Sequence, residues 1–260
     1  MSDRYQVAKD IAAEAGAMAL EYQRGLISGE LMIEAKGVQD FVTEADRRVE
    51  KLIRNRLLGT FPEDGFFGEE SDSDLKPGQG FWVVDPIDGT SNFMRHVDQW
   101  GISIAYVAEG KIQLGVIYDP VREQLFHCQR DGRAFCNEQR CELSGAVPAD
   151  PTLILGHSRR ADLKVYLNVL EYLHEAGVEH RRFGSAALGL AQVLTGQTDG
   201  YYEADLNPWD CMAGLLLIEE AGGVIVSGSS MVTDLQNCPV AAGIAGLQPQ
   251  LNRLVKLAGG

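Results

Sequence analysis

The chain has 260 residues, 45% of them hydrophobic, which is enough apolar surface for one large domain or two small ones. Its formal charge of −14 makes nucleic acid and anionic membranes poor partners. A phosphorylated ligand likewise gains nothing from the protein's overall field unless bound cations reverse the sign locally. The five cysteines, Cys128, Cys136, Cys141, Cys211 and Cys238, form no Cys-x-x-Cys pair and no zinc spacing, so free thiols are expected. No cationic segment followed by an apolar stretch opens the chain, and the apolar run 212–218 is too short to span a bilayer. A soluble, cytoplasmic protein is the expectation.

Val7, Ile11, Ala15, Met18 and Tyr22 recur at helical spacing with acids on other faces, which predicts an amphipathic first helix ending near Gly25. A looser segment reaches Asp40. Thr43 with Asp46 three residues on resembles a capping box, and Val49, Leu52, Ile53 and Leu57 carry a second helix that Gly59 and Pro62 end. A capping role for Asp46 is a direct rival to a chemical one, and the residues alone leave the two open. Phe66 and Phe67 lead into Gly68, Glu69, Glu70 and Ser71, and an acidic loop follows to Gly80.

The apolar run 81–84 is long enough for one buried strand, expected to stop at Asp85 because Pro86 cannot continue a central strand. Asp85 and Asp88 then stand three residues apart across a tight turn with the Ile87 carbonyl between them. Oxygen-only ligands of this kind suit Mg²⁺ or a similarly hard cation. Gly89 lets the backbone approach a ligand closely. Thr90 and Ser91 would open a helix whose free N–H groups make a seat for phosphate. An Asx turn with a helix cap behind it is the plainer alternative.

Residues 101–108 and 111–118 read as strands joined by a Glu109-Gly110 hairpin turn, with a further strand at 125–128. Residues 153–155 form a short strand. Leu163, Leu167 and Leu170 mark a helix stopped by Gly177, 180–183 a strand, and Gly184, Ser185 and Ala186 the start of a helix through Leu194. Tyr201, Tyr202 and Glu203 read as a strand end. Pro208, Trp209 and Asp210 begin a helix that is apolar nearly all round and therefore buried, with Gly222 and Gly223 as its stop. Strands at 224–226 and 240–244 and a final helix with Leu251, Leu254 and Leu257 complete a layered α/β pattern. One catalytic unit is expected, in two halves: 1–147, a helix pair with a mainly antiparallel sheet, and 148–260, an α/β half carrying Asp210.

Three segments together resemble one family. Trp82-x-x-Asp85-Pro86-Ile87-Asp88-Gly89-Thr90-x-x-Phe93 is similar to the first signature of the inositol monophosphatase family of metal-dependent, lithium-sensitive sugar and polyol phosphatases. Trp209-Asp210-x-x-Ala213-Gly214, followed by Glu220-Ala221-Gly222-Gly223, is similar to the second, and Gly68-Glu69-Glu70-Ser71 precedes the first in the family's order. The resemblance implies a five-layer α-β-α-β-α sandwich with the site between the halves, and a homodimer. It places metal ligands at Glu69, Asp85, the Ile87 carbonyl, Asp88 and Asp210, for two or three Mg²⁺. It puts water orientation and proton acceptance at Thr90 and Asp46, and water activation at a metal that Glu69 helps to hold. Phosphate contacts fall on the Gly89 and Thr90 N–H groups, and substrate contacts on Glu203, Gly184, Ser185 and Ala186. Lys36 matches a basic residue near the family's site. Inositol 1-phosphate is the expected substrate, and histidinol phosphate the alternative. A regulatory protein with an idle metal site is an alternative of another class. No dinucleotide fingerprint, Walker loop or Gly-x-Ser-x-Gly is present, and His174-Glu175 lacks the second histidine of a zinc protease helix.

Overall fold

The computed structural model describes residues 2–28, 33–35, 41–75, 77–228 and 234–259; Lys36 lies outside the described residues. Two mixed sheets and three helix layers alternate, as the α-β-α-β-α expectation requires. Helices α1 (Ser2–Ser28) and α2 (Glu44–Thr60) cover the outer face of a seven-stranded sheet. Its strands run in chain order: β3 (Gly65–Gly68), β4 (Phe81–Asp88), β5 (Gly101–Ala108), β6 (Lys111–Asp119), β7 (Gln124–Gln129), β8 (Ala134–Cys136) and β9 (Gln139–Cys141). Only β3 and β4 pair parallel; the rest are antiparallel. The five residues of α3 (Thr90–Met94) follow β4, and a separate small ribbon pairs β1 (Ile33–Ala35) with β2 (Phe41–Thr43).

The second sheet has the order β11-β10-β12-β14-β13, from β10 (Thr152–Leu155), β11 (Glu179–Arg181), β12 (Gly200–Leu206), β13 (Val224–Ser227) and β14 (Cys238–Gly243). Strands β10, β11 and β12 are parallel, and β14 and β13 close the sheet antiparallel. Between the sheets lie α5 (Ala186–Leu194) and α6 (Pro208–Glu220); α4 (Leu163–Glu175) and α7 (Gln248–Ala258) cover the far face.

The side chains follow the period of two that a strand imposes. Trp82 and Val84 enter the outer core with α1 and α2, whereas Val83 faces α5 and α6. Tyr201 faces the middle layer and Tyr202 the α4–α7 layer. Nine of the thirteen residues of α6 are buried, which is why its sequence is apolar on all sides. It lies so close to β6 that a Cβ on Gly115 would stand 2.6 Å from the Ala213 carbonyl oxygen.

Several expected details differ. Strand β4 does not stop at Asp85 but continues through Pro86 to Asp88. The register passes from Asp85 opposite Ser103 to Asp88 opposite Gly101, so one extra residue bulges out of the ladder there. A bulge frees Pro86 from donating a ladder hydrogen bond. In α4 the buried face is Val169 and Leu173, while Leu163 and Leu167 are exposed. Glu203 lies inside β12 rather than at its end, and the strand expected at 180–183 is Glu179–Arg181. Helix α1 runs on to Ser28, with Ala8, Ile11, Ala12, Ala15 and Ala19 buried. The β8–β9 hairpin was not expected; its three-residue strands carry too little pattern to read. Thr43 ends β2, and its side chain lies outside the described residues.

Candidate active site

The parallel strands β10, β11 and β12 deliver their carboxyl ends to one edge of the second sheet, where ligand crevices of α/β proteins form. The bulged end of β4 meets that edge. Pro208 and Asn207 start α6 here, Asn207 as N-cap and Pro208 at the first helical position, where the missing N–H costs nothing. Asp210, in the first turn, accepts from Asn207 Nδ2 at 3.1 Å and from Asn207 N–H at 3.4 Å. Ser103 Oγ donates to the Trp209 carbonyl at 2.9 Å and so ties the start of α6 to β5.

Asp85, Asp88 and Asp210 each present a carboxylate oxygen within 4.8 Å of the other two. Asp85 and Asp88 are buried and Asp210 partly so. Glu69, carried just past β3, lies outside that 4.8 Å group but within reach of its charges: burial raises its carboxyl well above the ordinary range, and Asp210, Glu70, Asp46 and Asp88 raise it further. Asp85 is pushed up strongly by burial, then by Glu69, Asp88 and Asp210. The same proximity acts in the opposite direction on Asp210, which burial raises and Asp85 lowers. Burial and then Asp210 raise Asp88 to about 7 against the hydrogen bonds it accepts. Those bonds come from Ser185 Oγ, from the Ala187 N–H at 2.7 Å and from the Ala186 N–H. Among the described residues no Lys, Arg or His forms an ion pair with any of the four. Acids offering only oxygen donors, with no ion-paired side chain among the described residues, fit a hard divalent cation.

Thr90 Oγ1 lies 3.2 Å from Asp46 Oδ1 and 3.1 Å from the Ile87 carbonyl oxygen. Asp46 is buried at 1% exposure on α2, so it points at the site rather than at solvent. Gly89 takes φ 96° as the N-cap of α3, and no side chain caps that helix. A Cβ on Gly89 would stand 2.9 Å from the Gln99 carbonyl oxygen, a second reason for glycine there.

The segment expected to contact substrate lies against Asp88. Ser185 caps α5 by accepting the Leu188 N–H at 3.2 Å and donates to Asp88; with Ala186 it anchors an acid of the cluster. Gly184, at φ 82°, sits beside Asn92, whose Nδ2 donates to the Phe183 carbonyl at 2.7 Å and the Gln99 carbonyl at 2.8 Å. Glu203 is buried and accepts from Tyr201 Oη at 2.6 Å; burial raises it to about 8, with Asp210 and Asp88 adding to the rise.

Sequence reasoning missed Glu50, Asn92 and Asn207, and gave the cationic pair Arg159 and Arg160 no role. Glu50 carried a readable signal: an acid four residues after Asp46, on the helix face that also holds Val49, Ile53 and Leu57. Arg160 binds Asp205 at 2.8 Å and reaches Asn207 Oδ1 at 3.4 Å, and its charge lowers both Asp210 and Glu203.

The model of the inositol monophosphatase family matches residues 1–256. The chain belongs to the inositol monophosphatase family. Inositol-1-monophosphatase of Mesorhizobium japonicum is 38% identical over 234 residues, 87% of this chain and 86% of that protein. Nus factor SuhB of Escherichia coli is 37% identical over 199 residues, 73% of each. Among solved structures, extragenic suppressor protein suhB from Bartonella henselae superposes with a TM-score of 0.88 at 35% identity, covering 96% of this chain and 97% of that one. Family membership supports a phosphatase. Among the described residues no helix is long and apolar enough to cross a membrane.

Proposed function

We propose that the chain is a Mg²⁺-dependent phosphomonoesterase acting on inositol 1-phosphate. The observation that carries this reading is the group Asp85, Asp88 and Asp210, whose charges reach Glu69, together with the Thr90–Asp46 hydrogen bond. Those four carboxylates and the Ile87 carbonyl would hold the cations. When bound, Mg²⁺ would supply Lewis acidity to the phosphoryl group and make water acidic enough to attack. The chain's own residues handle the proton. Thr90 Oγ1 has one proton and two acceptors in reach, Asp46 and the Ile87 carbonyl. With the carbonyl engaged elsewhere, the hydroxyl donates to Asp46 and turns its lone pairs to the attacking water. The proton then passes through Thr90 to Asp46, a general-base arrangement. The Gly89 and Thr90 N–H groups at the uncapped start of α3 would hold phosphate oxygens. Glu203, steadied by Tyr201, would accept a hydrogen bond from a ring hydroxyl.

The test is phosphate release from inositol 1-phosphate and histidinol phosphate with Mg²⁺, with chelator, and in Glu203→Gln. An amide still accepts from a hydroxyl but cannot neutralise an ammonium. The variant should keep part of its inositol phosphate turnover and lose histidinol phosphate turnover. Full activity after rigorous chelation would sink the metal reading. A preference of the unmodified protein for histidinol phosphate of about tenfold or more, roughly 1.4 kcal/mol, would reassign the substrate. The similarity to proteins named Nus factor SuhB keeps a regulatory role as the second reading; no phosphate release from any monoester would favour it.

A further inference from the structure

Helix α2 sets one polar residue per turn, Asp46, Glu50 and Arg54, beside its buried apolar residues. Asp46 serves Thr90. Glu50 takes no part in the chemistry above, yet it is only 2% exposed. Its Oε2 accepts the Glu70 N–H at 2.8 Å, and the Ser71 side chain hydrogen-bonds to the same carboxylate. One turn on, Arg54 Nη1 donates to Ser71 Oγ at 3.1 Å and to the Asp72 carbonyl at 3.3 Å. On the other side of the loop, the Glu69 N–H donates to the Val84 carbonyl at 3.2 Å. The peptide groups before and after Glu69 are therefore both fastened, one to β4 and one to α2. Gly68 permits the approach, since a methyl group there would overlap the Glu50 carboxylate. Burying a carboxylate is costly unless it is hydrogen-bonded, as Glu50 is.

We propose that Glu50 is a positioning residue that sets the affinity of the acidic cluster for divalent cations by fixing the backbone on either side of Glu69. This rests on reading Glu69, Asp85, Asp88 and Asp210 as a metal site. Two rival roles make different predictions. A purely structural Glu50 would change unfolding without changing cation affinity. A Glu50 acting through its charge would be replaced no better by glutamine than by alanine.

The experiment is calorimetric titration of Mn²⁺ into the chelator-stripped full chain without substrate. Glu50→Ala should weaken Mn²⁺ binding by about 10- to 100-fold, the size found when the support of a metal ligand is removed. Glu50→Gln keeps an acceptor for the Glu70 N–H and should bind within about threefold of the unmodified chain. Gly68→Ala keeps the carboxylate but displaces it, and should weaken binding as Glu50→Ala does. Unchanged Mn²⁺ affinity in folded Glu50→Ala would overturn the proposal, as would glutamine as weak as alanine. If Glu50→Ala does not fold, unchanged affinity in Gly68→Ala overturns it instead. Absence of Mn²⁺ binding by the unmodified chain overturns the metal site itself, and this inference with it.

Discussion

Stripping divalent cations and raising the pH from about 5 to about 8 should destabilise the protein. A carboxyl whose folded-state pKa lies above its unfolded value holds its proton more tightly when folded. Its contribution is fully present below the unfolded pKa and is lost as pH rises through the folded one. Asp88 rises from 3.8 to about 7 through burial and Asp210, and Glu203 from 4.5 to about 8, chiefly through burial. Glu69 and Asp85 move in the same direction. For Asp88 alone, at about 1.36 kcal/mol per pH unit over the roughly two units between pH 5 and its folded value of about 7, the loss is on the order of 3 kcal/mol. A domain is stable by only about 5–15 kcal/mol. At about 2–4 °C per kcal/mol for a chain of this class, the midpoint should drop by about 6–12 °C. His127 and His157 oppose this, because burial lowers both and their contribution grows as pH rises. Two part-buried imidazoles do not balance four acids. Tryptophan fluorescence on heating, in EDTA and in Mg²⁺ at each pH, measures the effect. With Mg²⁺ the cluster acids stay ionised and their share of the slope vanishes, while the share of Glu203 remains. A midpoint in EDTA that does not fall over this window, or one that falls equally in Mg²⁺, would refute the reasoning.

Asp46→Asn should lower kcat by about 10²-fold or more while Mg²⁺ binding holds, because the amide cannot take the proton from Thr90; unchanged turnover returns Asp46 to a structural role. Gly115→Ala should cost about 1–3 kcal/mol in urea unfolding, since its methyl group would press α6, and Asp210 with it, away from β6; an unshifted midpoint would show that the two elements are not in rigid contact.

The sequence made the site unusually legible because the acids of its metal cluster lie in three short strings, 68–71, 82–93 and 209–214. What those strings could not show is the distance between them. Asp210 meets Asp85 only because α6 is wedged between two sheets, a long-range outcome with no local signature. Legibility failed where one rule overrode another. Pro86 marks a strand end unless a bulge removes the demand on its N–H, and the bulge depends on the neighbouring strand. In α4 the leucines at 163 and 167 have helical spacing, but burial went to Val169 and Leu173 because α7 packs on that side. The hydrogen bonds that hold Asp88 come from residues 185–187, about a hundred positions away, and read locally only as a helix start.

The bulge in β4 settles a question of parity. In an unbroken strand, residues three apart point to opposite faces. Asp85 lies opposite Ser103 and Asp88 opposite Gly101, and those two partners, two residues apart, share a face. The inserted residue therefore turns an odd spacing into an even one, and both aspartates look toward the middle helices. Ile87 meanwhile joins Trp100 and Phe93 in the outer core. Shortening the Asp85–Asp88 interval by one residue would keep every carboxylate in the composition yet reset the ladder. Either the bulge survives and one acid turns toward α1 and α2, or the strand straightens and Ile87 loses its place. The spacing of the two aspartates and the kink of the strand can change only together.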